Sequence, residues 1–527
     1  MKSWIDQAVR DFRSGNLQAV LDGIVQSMPD ETAPFDADEI VTVAGLLLGV
    51  DQNDLSNQLL SRLAPEDWTP ELRDLASSYN LAFPRESSTS RAASEKGSRP
   101  LRVAMISVSD SGGAGTSAYR LHQGLRKIGV ESTMYVAMKR RDDPTVMVLP
   151  PDRGTGEVVD GLPQDAQESV WNAATERWRR NIAPYPARPS GLETFTDAIS
   201  TARIDRVRGI LDADIVNFHW IAGIVDTPTL AGLLKEKPSV WTLHDIHAFA
   251  GGCHYSAGCL GYRAQCGACP ALGSQQENDL SRSTWNTRRE LYEAVPLDVV
   301  TPSRWLQQEA LSSTLFGNKP VHHIPYGLPL EVFQPGDRML QREQLHLSPG
   351  EKVILFGADS VGNMRKGFQL LVKGLMELDG MLSADQKITL VTFGRMAPQL
   401  SLPSRFRVVH LGQLNGEQKI ADVYSAADLF VIPSLEDNLP NTVLESLACG
   451  TPVAGFGIGG IPDMVEHKKT GYIAKPFDVK DLATGIQWVL WNDELPSIRD
   501  ACRARAEADY PLTRQADRYL ELFSSLM

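Results

Sequence analysis

The chain has 527 residues, too many for one ordinary hydrophobic core, so two or three domains are expected. Its hydrophobic content of 42%, charged content of 22% and formal net charge of -13 describe a globular protein and argue against nucleic acid as main partner, because phosphate binding calls for a basic field. The longest apolar run, VTVAGLLLGV at 41–50, is too short to span a bilayer and lacks signal-peptide flanks, and six cysteines do not make a disulfide scaffold in a chain of this size, so a cytoplasmic setting is expected.

Residues 1–83 carry apolar side chains at helical spacing, as in Ile5, Val9 and Phe12, then Leu17, Val20, Leu21 and Ile24. This predicts a small helical module, a candidate contact for a protein partner or a second copy. The stretch PRESSTSRAASEKGSRP is polar and poor in apolar residues, which marks a linker over 84–100.

From 101 the pattern changes. LRVAMISV (101–108) reads as a strand, followed by the glycine-rich SDSGGAGTSAYRLHQGLRKIG feeding a helix. Further strands are predicted at STMYVAM (132–138), ADIVNFHW (213–220), PSVWTLHD (238–245) and LDVVTPS (297–303). Strands alternating with helices indicate a parallel sheet covered on both faces. The stretch from 140 to 200 has no clear period and carries no predicted element.

Gly113 and Gly115 fit G-x-G-x-x-A, in which glycine allows a tight turn and lets backbone N–H groups approach a pyrophosphate at the helix start. A dinucleotide site would add an acid at the end of the second strand. That strand ends in Lys139-Arg140-Arg141, which disfavours NAD and leaves an NADP-dependent oxidoreductase as an alternative. The bland reading is a close strand-to-helix turn.

Cys253, Cys259, Cys266 and Cys269 follow as C-x5-C-x6-C-x2-C in a glycine-rich loop, a set that suits a tetrahedral structural zinc; buried free thiols are the rival reading. Cys449 and Cys502 read as ordinary core residues.

From 351 the alternation starts afresh, with strands at KVILFGAD, ITLVTFG, FRVVHLG, DLFVIPS, TPVAGF and GYIAKP, and helices at GFQLLVKGLMEL, EQKIADVYSAA and DVKDLATGIQWVL. Two doubly wound units in one chain make a cleft between facing strand ends, where ligands of such sheets bind. The expected division is an N-terminal Rossmann-like domain over 101–328, a C-terminal one over 329–507 and a closing helix over 508–527 that crosses back. Arg365-Lys366 lies at the mouth of the second sheet, where a guanidinium fork beside an ammonium suits a diphosphate, unless it is a solvated surface pair. In SLEDNLPNTVLESLACGTPV (434–453), Pro440 sits near a helix start that Asn441 or Thr442 can cap, and Gly450 and Pro452 stop the helix. Glu436, Asp437 and Glu445 then face the cleft, to hold sugar and ribose hydroxyls or simply to complement a helix dipole.

The run PSLEDNLPNTVLESLACGTPVAGFGIGGIPDMVEHKKTGYIA resembles the signature of retaining glycosyltransferase family four, which has the GT-B fold. Asp437-x7-Glu445 fills the family's acid pair, with aspartate where glutamate is usual and Glu436 directly before it. The resemblance spans about 100–527, taking in Arg365-Lys366-Gly367 and the glycine loop, and WTLHDIHAFAGGCHYSAGC with CGACPALGS is similar to enzymes that build bacterial surface polysaccharides. It implies a hexose donor carried on a nucleoside diphosphate of UDP or GDP type, a glycan or lipid-linked acceptor, and retention without a catalytic metal. Arg365, Lys366 and the amides near Gly113 and Gly115 would hold the diphosphate. Glu445 would take the ribose and Asp437 or Glu436 the hexose, with Asn438, Leu439 and Asn441 completing the donor loop. His244 would position the reacting centre, with His219 and Asp245 on the acceptor side. A peripheral position at the inner membrane face would suit a lipid-linked acceptor. A nucleotide-sugar epimerase of the same fold and a scaffold in an assembly complex are the further alternatives.

Overall fold

The structure, a computed structural model, describes residues 99–150, 158, 167–198, 202–360, 362–395 and 401–527. The helical module expected over 1–83 and the linker up to residue 98 lie outside them. From Pro100 onward the chain forms one unit built on two sheets.

The first half runs β1 (Arg102–Ser109), α1 (Gly112–Lys127), β2 (Glu131–Met138), β3 (Val146–Val148), α2 (Gln167–Ile182), β4 (Ile215–Phe218), α3 (Thr227–Glu236), β5 (Ser239–Thr242), α4 (Leu280–Glu293), β6 (Asp298–Thr301), α5 (Arg304–Ser312) and β7 (Val321–His323). The second half runs β8 (Lys352–Ser360), α6 (Phe368–Asp379), β9 (Ile388–Arg395), β10 (Phe406–His410), α7 (Glu417–Ala426), β11 (Leu429–Ile432), α8 (Asn441–Ala448), β12 (Val453–Phe456), β13 (Gly471–Ala474), α9 (Val479–Leu490), α10 (Leu495–Asp509) and α11 (Leu512–Ser525). The sheets have strand orders β3-β2-β1-β4-β5-β6-β7 and β10-β9-β8-β11-β12-β13. Every pairing is parallel, with Val103 opposite Ser132 and Ile215 in the first sheet and Ile354 opposite Leu390 and Leu429 in the second. This is the two-domain GT-B arrangement.

The strands read as continuous apolar runs because both faces are covered. In β1, Val103 and Met105 point into one core while Ala104, Ile106 and Val108 point into the opposite one. In β8 the same alternation sends Val353 and Leu355 one way and Ile354, Phe356 and Ala358 the other. α11 returns to the first half, where Ala516, Tyr519, Leu522 and Phe523 join the core of Val103, Met105 and Leu121. Burying Tyr519 and Phe523 there contributes about 2–3 kcal/mol per side chain.

The segment without a predicted element holds β3 and α2. The helical face of α2 is Val170, Ala174 and Trp178, one residue every four, all buried.

In each sheet the strand order reverses beside the first strand, between β1 and β4 and between β8 and β11. Loops leaving the carboxyl ends of those strands open a crevice. The glycine loop leaves β1 and His219 leaves β4, while Arg365-Lys366 follows β8 and Glu436-Asp437 follows β11. The switch points of the two sheets carry the candidate site.

Candidate functional site

Beyond β8, Lys366 Nζ donates to Asp437 Oδ2 at 2.6 Å, and Arg365 Nη1 lies 3.4 Å from Asp437 Oδ1. Arg365 also donates from Nε to Glu193 Oε1 at 2.8 Å and from Nη1 to the Glu436 carbonyl at 2.8 Å. The Tyr255 ring lies beneath its guanidinium at 3.9 Å. Burial alone would raise the Asp437 pKa, but Lys366, Arg365 and the Ser434 hydroxyl hold it below the usual carboxylate range. Burial works against charge on Arg365 too, yet Tyr255, Asp437 and Glu193 keep it cationic. For Lys366 burial wins over Asp437 and lowers the pKa. Two cations and two carboxylates thus stand at one strand mouth.

Gly367 makes this approach possible. Its φ is +69°, and a Cβ there would sit 1.8 Å from the Pro433 carbonyl oxygen. Any larger residue would push the Lys366 loop off the Asp437 loop.

Glu436 turns the other way. Its Oε1 accepts the Ser256 backbone N–H at 3.1 Å and its Oε2 that of Ala257 at 3.0 Å, so it ties β11's loop to the cysteine-rich loop of the first half. Burial raises its pKa, opposed by those two N–H groups. Of the adjacent acids, Asp437 faces the basic pair. Asn438 is a second tie: its Nδ2 donates to the His244 carbonyl at 3.1 Å, and its Oδ1 accepts from Ser303 Oγ at 2.5 Å. The Leu439 side chain points into the hydrophobic core.

The expected cap on α8 is not formed by a side chain. Pro440 occupies the N-cap position without a capping bond, and Asn441 reaches across the cleft to donate to the Gly113 carbonyl at 3.0 Å and to Ser117 Oγ at 2.9 Å. One turn on, Glu445 Oε1 accepts from Arg120 Nη2 at 2.9 Å; the same guanidinium reaches Glu417 at 3.0 Å. Arg120 rises from α1 and its side chain is only 1% exposed. Burial raises the Glu445 pKa, Arg120 opposes the shift and Glu417 adds to it.

The two glycines of the loop do different things. A Cβ on Gly115 would fall 2.4 Å from the Ser109 carbonyl oxygen, so this glycine serves the close turn from β1 into α1. A Cβ on Gly113 would meet nothing within 4 Å, so that position borders open space. Ser111 caps α1 without a side-chain bond, which leaves the first N–H groups of the helix to other acceptors. Asp110 binds the backbone N–H groups of Arg140 and Arg141, so the basic end of β2 is tied down beside the glycine loop. The NADP alternative leaves Asn441, Glu445, Arg365 and Lys366 without a role in that loop.

His244 follows β5 and His219 follows β4, and the two rings are hydrogen-bonded, Nε2 of His244 to Nδ1 of His219, at 3.0 Å. His244 Nδ1 meets the Tyr326 hydroxyl at 2.6 Å. Burial pushes the His244 pKa down to about 4, with Asp245 opposing, and burial with His244 pushes His219 well down as well, so both rings are neutral near pH 7. Asp245 is spent on structure: Oδ2 accepts from Trp220 Nε1 at 3.0 Å and contacts His254 Nδ1 at 2.7 Å, and Oδ1 accepts the His247 N–H at 2.9 Å.

The zinc expectation is corrected. Cys253, Cys259, Cys266 and Cys269 border one small cavity with Phe195, Tyr262 and Ser281, yet among the described residues no three His, Cys, Asp or Glu side chains converge as metal ligands. All four are free thiols, as are the buried Cys449 and Cys502. Burial pushes Cys266 up to about 12 and Cys253 also well up, and Cys259 Sγ accepts the Gly261 N–H at 3.4 Å. The x5 and x6 spacings place all four thiols around that one cavity.

Arg120, Glu193, Tyr255 and Tyr326 were not among the predicted site residues. Arg120 lies on the helix that opens at the glycine loop, among Thr116, Ser117, His122 and Gln123, where the sequence does not single it out. Glu193 lay in the segment without a predicted element.

Residues 351–492 match the family model for glycosyl transferases group 1. Over 459 residues the chain is 26% identical to a D-inositol 3-phosphate glycosyltransferase of Mycolicibacterium smegmatis, covering 81% of this chain and 92% of that protein. Among solved structures it is similar to a sucrose-phosphate synthase (tll1590) from Thermosynechococcus elongatus, with TM-score 0.54, 20% identity and coverage of 81% and 99%. It is also similar to Anabaena Alr3699/HepE in complex with UDP and glucose, with TM-score 0.50, 15% identity and coverage of 81% and 100%. The likeness to these structures is a likeness of fold.

Proposed function

We propose that this chain is a glycosyltransferase that moves a hexose from a nucleoside-diphosphate sugar to a glycan or lipid-linked acceptor, with retention and without a metal at the reacting centre. The observation that carries this reading is the Lys366–Asp437 pair with Arg365 beside it, set beyond the carboxyl ends of β8 and β11. UDP is the first donor base to test, since a protein of the same fold binds UDP and glucose.

Cleaving the donor builds positive charge on the sugar ring and negative charge on the departing diphosphate. Arg365 and Lys366 are fixed cations placed to receive that negative charge, and preorganised charge in a partly buried cleft is worth far more than in water. Before donor binds, Asp437 and Glu193 balance them. A diphosphate entering there takes over the cations and releases Asp437 toward the sugar hydroxyls. Glu445 receives the ribose once Arg120 gives way. His244 has both ring nitrogens hydrogen-bonded, so it shapes the reacting centre and moves no proton from this arrangement. Same-face attack assisted by the leaving phosphate follows from the family resemblance.

The D-inositol 3-phosphate glycosyltransferase relative supports sugar transfer as the reaction; a role in surface polysaccharide synthesis rests on the resemblance of the histidine- and cysteine-rich segment. Among the described residues no helix is long and apolar enough to cross a membrane. Attachment at the inner membrane face is part of the proposal for a lipid-linked acceptor. The test is incubation with UDP-, GDP- and ADP-sugars, offering D-inositol 3-phosphate and lipid-linked glycans as acceptors. NMR then reads the anomeric configuration of the product. Retention with a nucleoside-diphosphate sugar is expected; an inverted product, or NADPH oxidation in place of transfer, would overturn the reading.

A further inference from the structure

His244, His219 and Tyr326 come from the ends of three different strands, β5, β4 and β7. The Tyr326 hydroxyl meets His244 Nδ1 at 2.6 Å, and His244 Nε2 meets His219 Nδ1 at 3.0 Å. The Tyr326 and His244 rings are stacked with centroids 5.6 Å apart, and the His244 and His219 rings are tilted at 5.3 Å. Their backbones are pinned as well. The His219 N–H donates to the Ile106 carbonyl and its own carbonyl accepts from Trp241 Nε1, both at 2.9 Å, while Asn438 holds the His244 carbonyl. All three side chains are at least nine-tenths buried. His219 Nε2, at the far end, has no hydrogen-bond partner and borders a cavity with Trp220, Trp241, His247 and Ala248.

A neutral imidazole carries one N–H and one lone pair, so in a chain of two imidazoles the direction of one bond dictates the next. A phenol hydroxyl at 2.6 Å from a ring nitrogen is a better donor than acceptor. Burial, with Tyr255, Tyr519 and Asp245 adding to it, raises the Tyr326 pKa well above the ordinary phenol value, so the O–H proton stays in place. The Ser117 hydroxyl opposes the shift as a donor to the same oxygen, which leaves the Tyr326 O–H for His244. Tyr326 then donates to His244 Nδ1, which leaves the His244 proton on Nε2. That N–H donates to His219 Nδ1, and the His219 proton sits on Nε2, facing the cavity.

We propose that Tyr326 is a positioning residue that locks His244 in its Nε2–H tautomer through a one-way relay from Tyr326 to His244 to His219. The relay ends in an N–H donor within a buried cavity, which suits a water molecule or a hydroxyl oxygen. The inference rests on the reading that places His244 at the reacting centre, and its test separates the two.

The experiment uses the full chain with 15N-labelled histidine, the His244 and His219 signals being assigned from His244→Gln and His219→Gln variants. In the wild type, His244 Nδ1 should resonate as a lone-pair nitrogen and Nε2 as a protonated one. Tyr326→Phe should mix the two tautomers and lower kcat about tenfold with KM within about twofold. His219→Gln should leave the His244 tautomer unchanged, which keeps the test open if Tyr326→Phe folds poorly. A wild-type His244 protonated on Nδ1, a tautomer unmoved by Tyr326→Phe, or one that His219→Gln reverses would overturn the relay. A mixed tautomer with unchanged kcat would support the relay and contradict the placement of His244 at the reacting centre.

Discussion

Glu445 of the second half and Arg120 of the first are held together at 2.9 Å across the cleft. The acid expected to receive the donor's ribose is therefore already engaged by a cation from the facing domain. Donor binding and this clasp compete for one carboxylate.

That competition gives a first prediction. Arg120→Met frees Glu445 and should tighten UDP about five- to tenfold, because the binding-competent form no longer has to be released from the clasp. The same variant should unfold at lower temperature, since it leaves Glu445 buried without its partner. Isothermal titration with UDP, alongside thermal unfolding, reads both effects; weaker UDP binding would show that Arg120 assists the nucleotide instead.

The adjacent acids Glu436 and Asp437 should separate in their effects. Asp437→Asn removes the counter-charge of Lys366 and Arg365 together with the proposed sugar contact, and should lower kcat/KM about a hundredfold or more. Glu436→Gln keeps the shape but weakens acceptance from the Ser256 and Ala257 N–H groups, and should cost only about tenfold, with donor affinity nearly unchanged. Initial-rate kinetics with a donor titration decide; equal losses would place both acids at the sugar.

Lys366 and Asp437 form one energetic unit. Removing either alone leaves a charge in a poorly solvated place and should destabilise the fold by about 3 kcal/mol, while Lys366→Ala with Asp437→Ala should cost less than the sum of the two. Denaturant unfolding of the four proteins completes the cycle; strictly additive losses would mean the pair is not coupled.

Acid should destabilise the protein through buried histidines. His122, His244 and His323 are held at pKa values of about 4, burial being the leading cause in each, against about 6.5 in an unfolded chain. Between these values the unfolded chain takes up protons that the folded rings refuse. The stabilisation is fully present above about pH 6.5 and is lost as pH falls toward 4. His122 sits between Ser132 and Thr145, both at 2.8 Å, on different residues from those of the cleft. His122→Gln should therefore remove roughly 2 kcal/mol of the stability difference between pH 7 and pH 5 without touching donor binding. An unchanged pH dependence in that variant would contradict the shift.

Much of the fold was legible because the strands are buried on both faces, so VAMISV and VILFGA stand out as unbroken apolar runs. β3 and β7, three residues each, are too short to carry such a signal. α2 did carry one, in Val170, Ala174 and Trp178, but the surrounding Pro, Arg and Trp residues masked it. Arg365, Lys366 and Asp437, singled out from their register, stand together beyond β8 and β11, while Glu445 pairs with Arg120 instead. Arg120, Glu193 and Tyr255 were not legible, because the side-chain partners of Glu193 lie 170 and 172 residues away and the carboxylates on Arg120 lie 297 and 325 away, and only the docking of two sheets sets those contacts. The cysteine spacing brought all four thiols to one small cavity, but among the described residues no three His, Cys, Asp or Glu side chains form a metal-ligand set there.

The central claim is that Lys366 and Arg365 stabilise the diphosphate leaving a donor sugar. Its most direct measurement is single-turnover sugar transfer from UDP-glucose, and from the GDP- and ADP-sugars, by wild type and Lys366→Ala in the presence of EDTA. Wild-type transfer that persists in EDTA, with a loss of a hundredfold or more in Lys366→Ala, is the predicted result. Retained transfer in Lys366→Ala, or transfer that stops when divalent metal is removed, would contradict it.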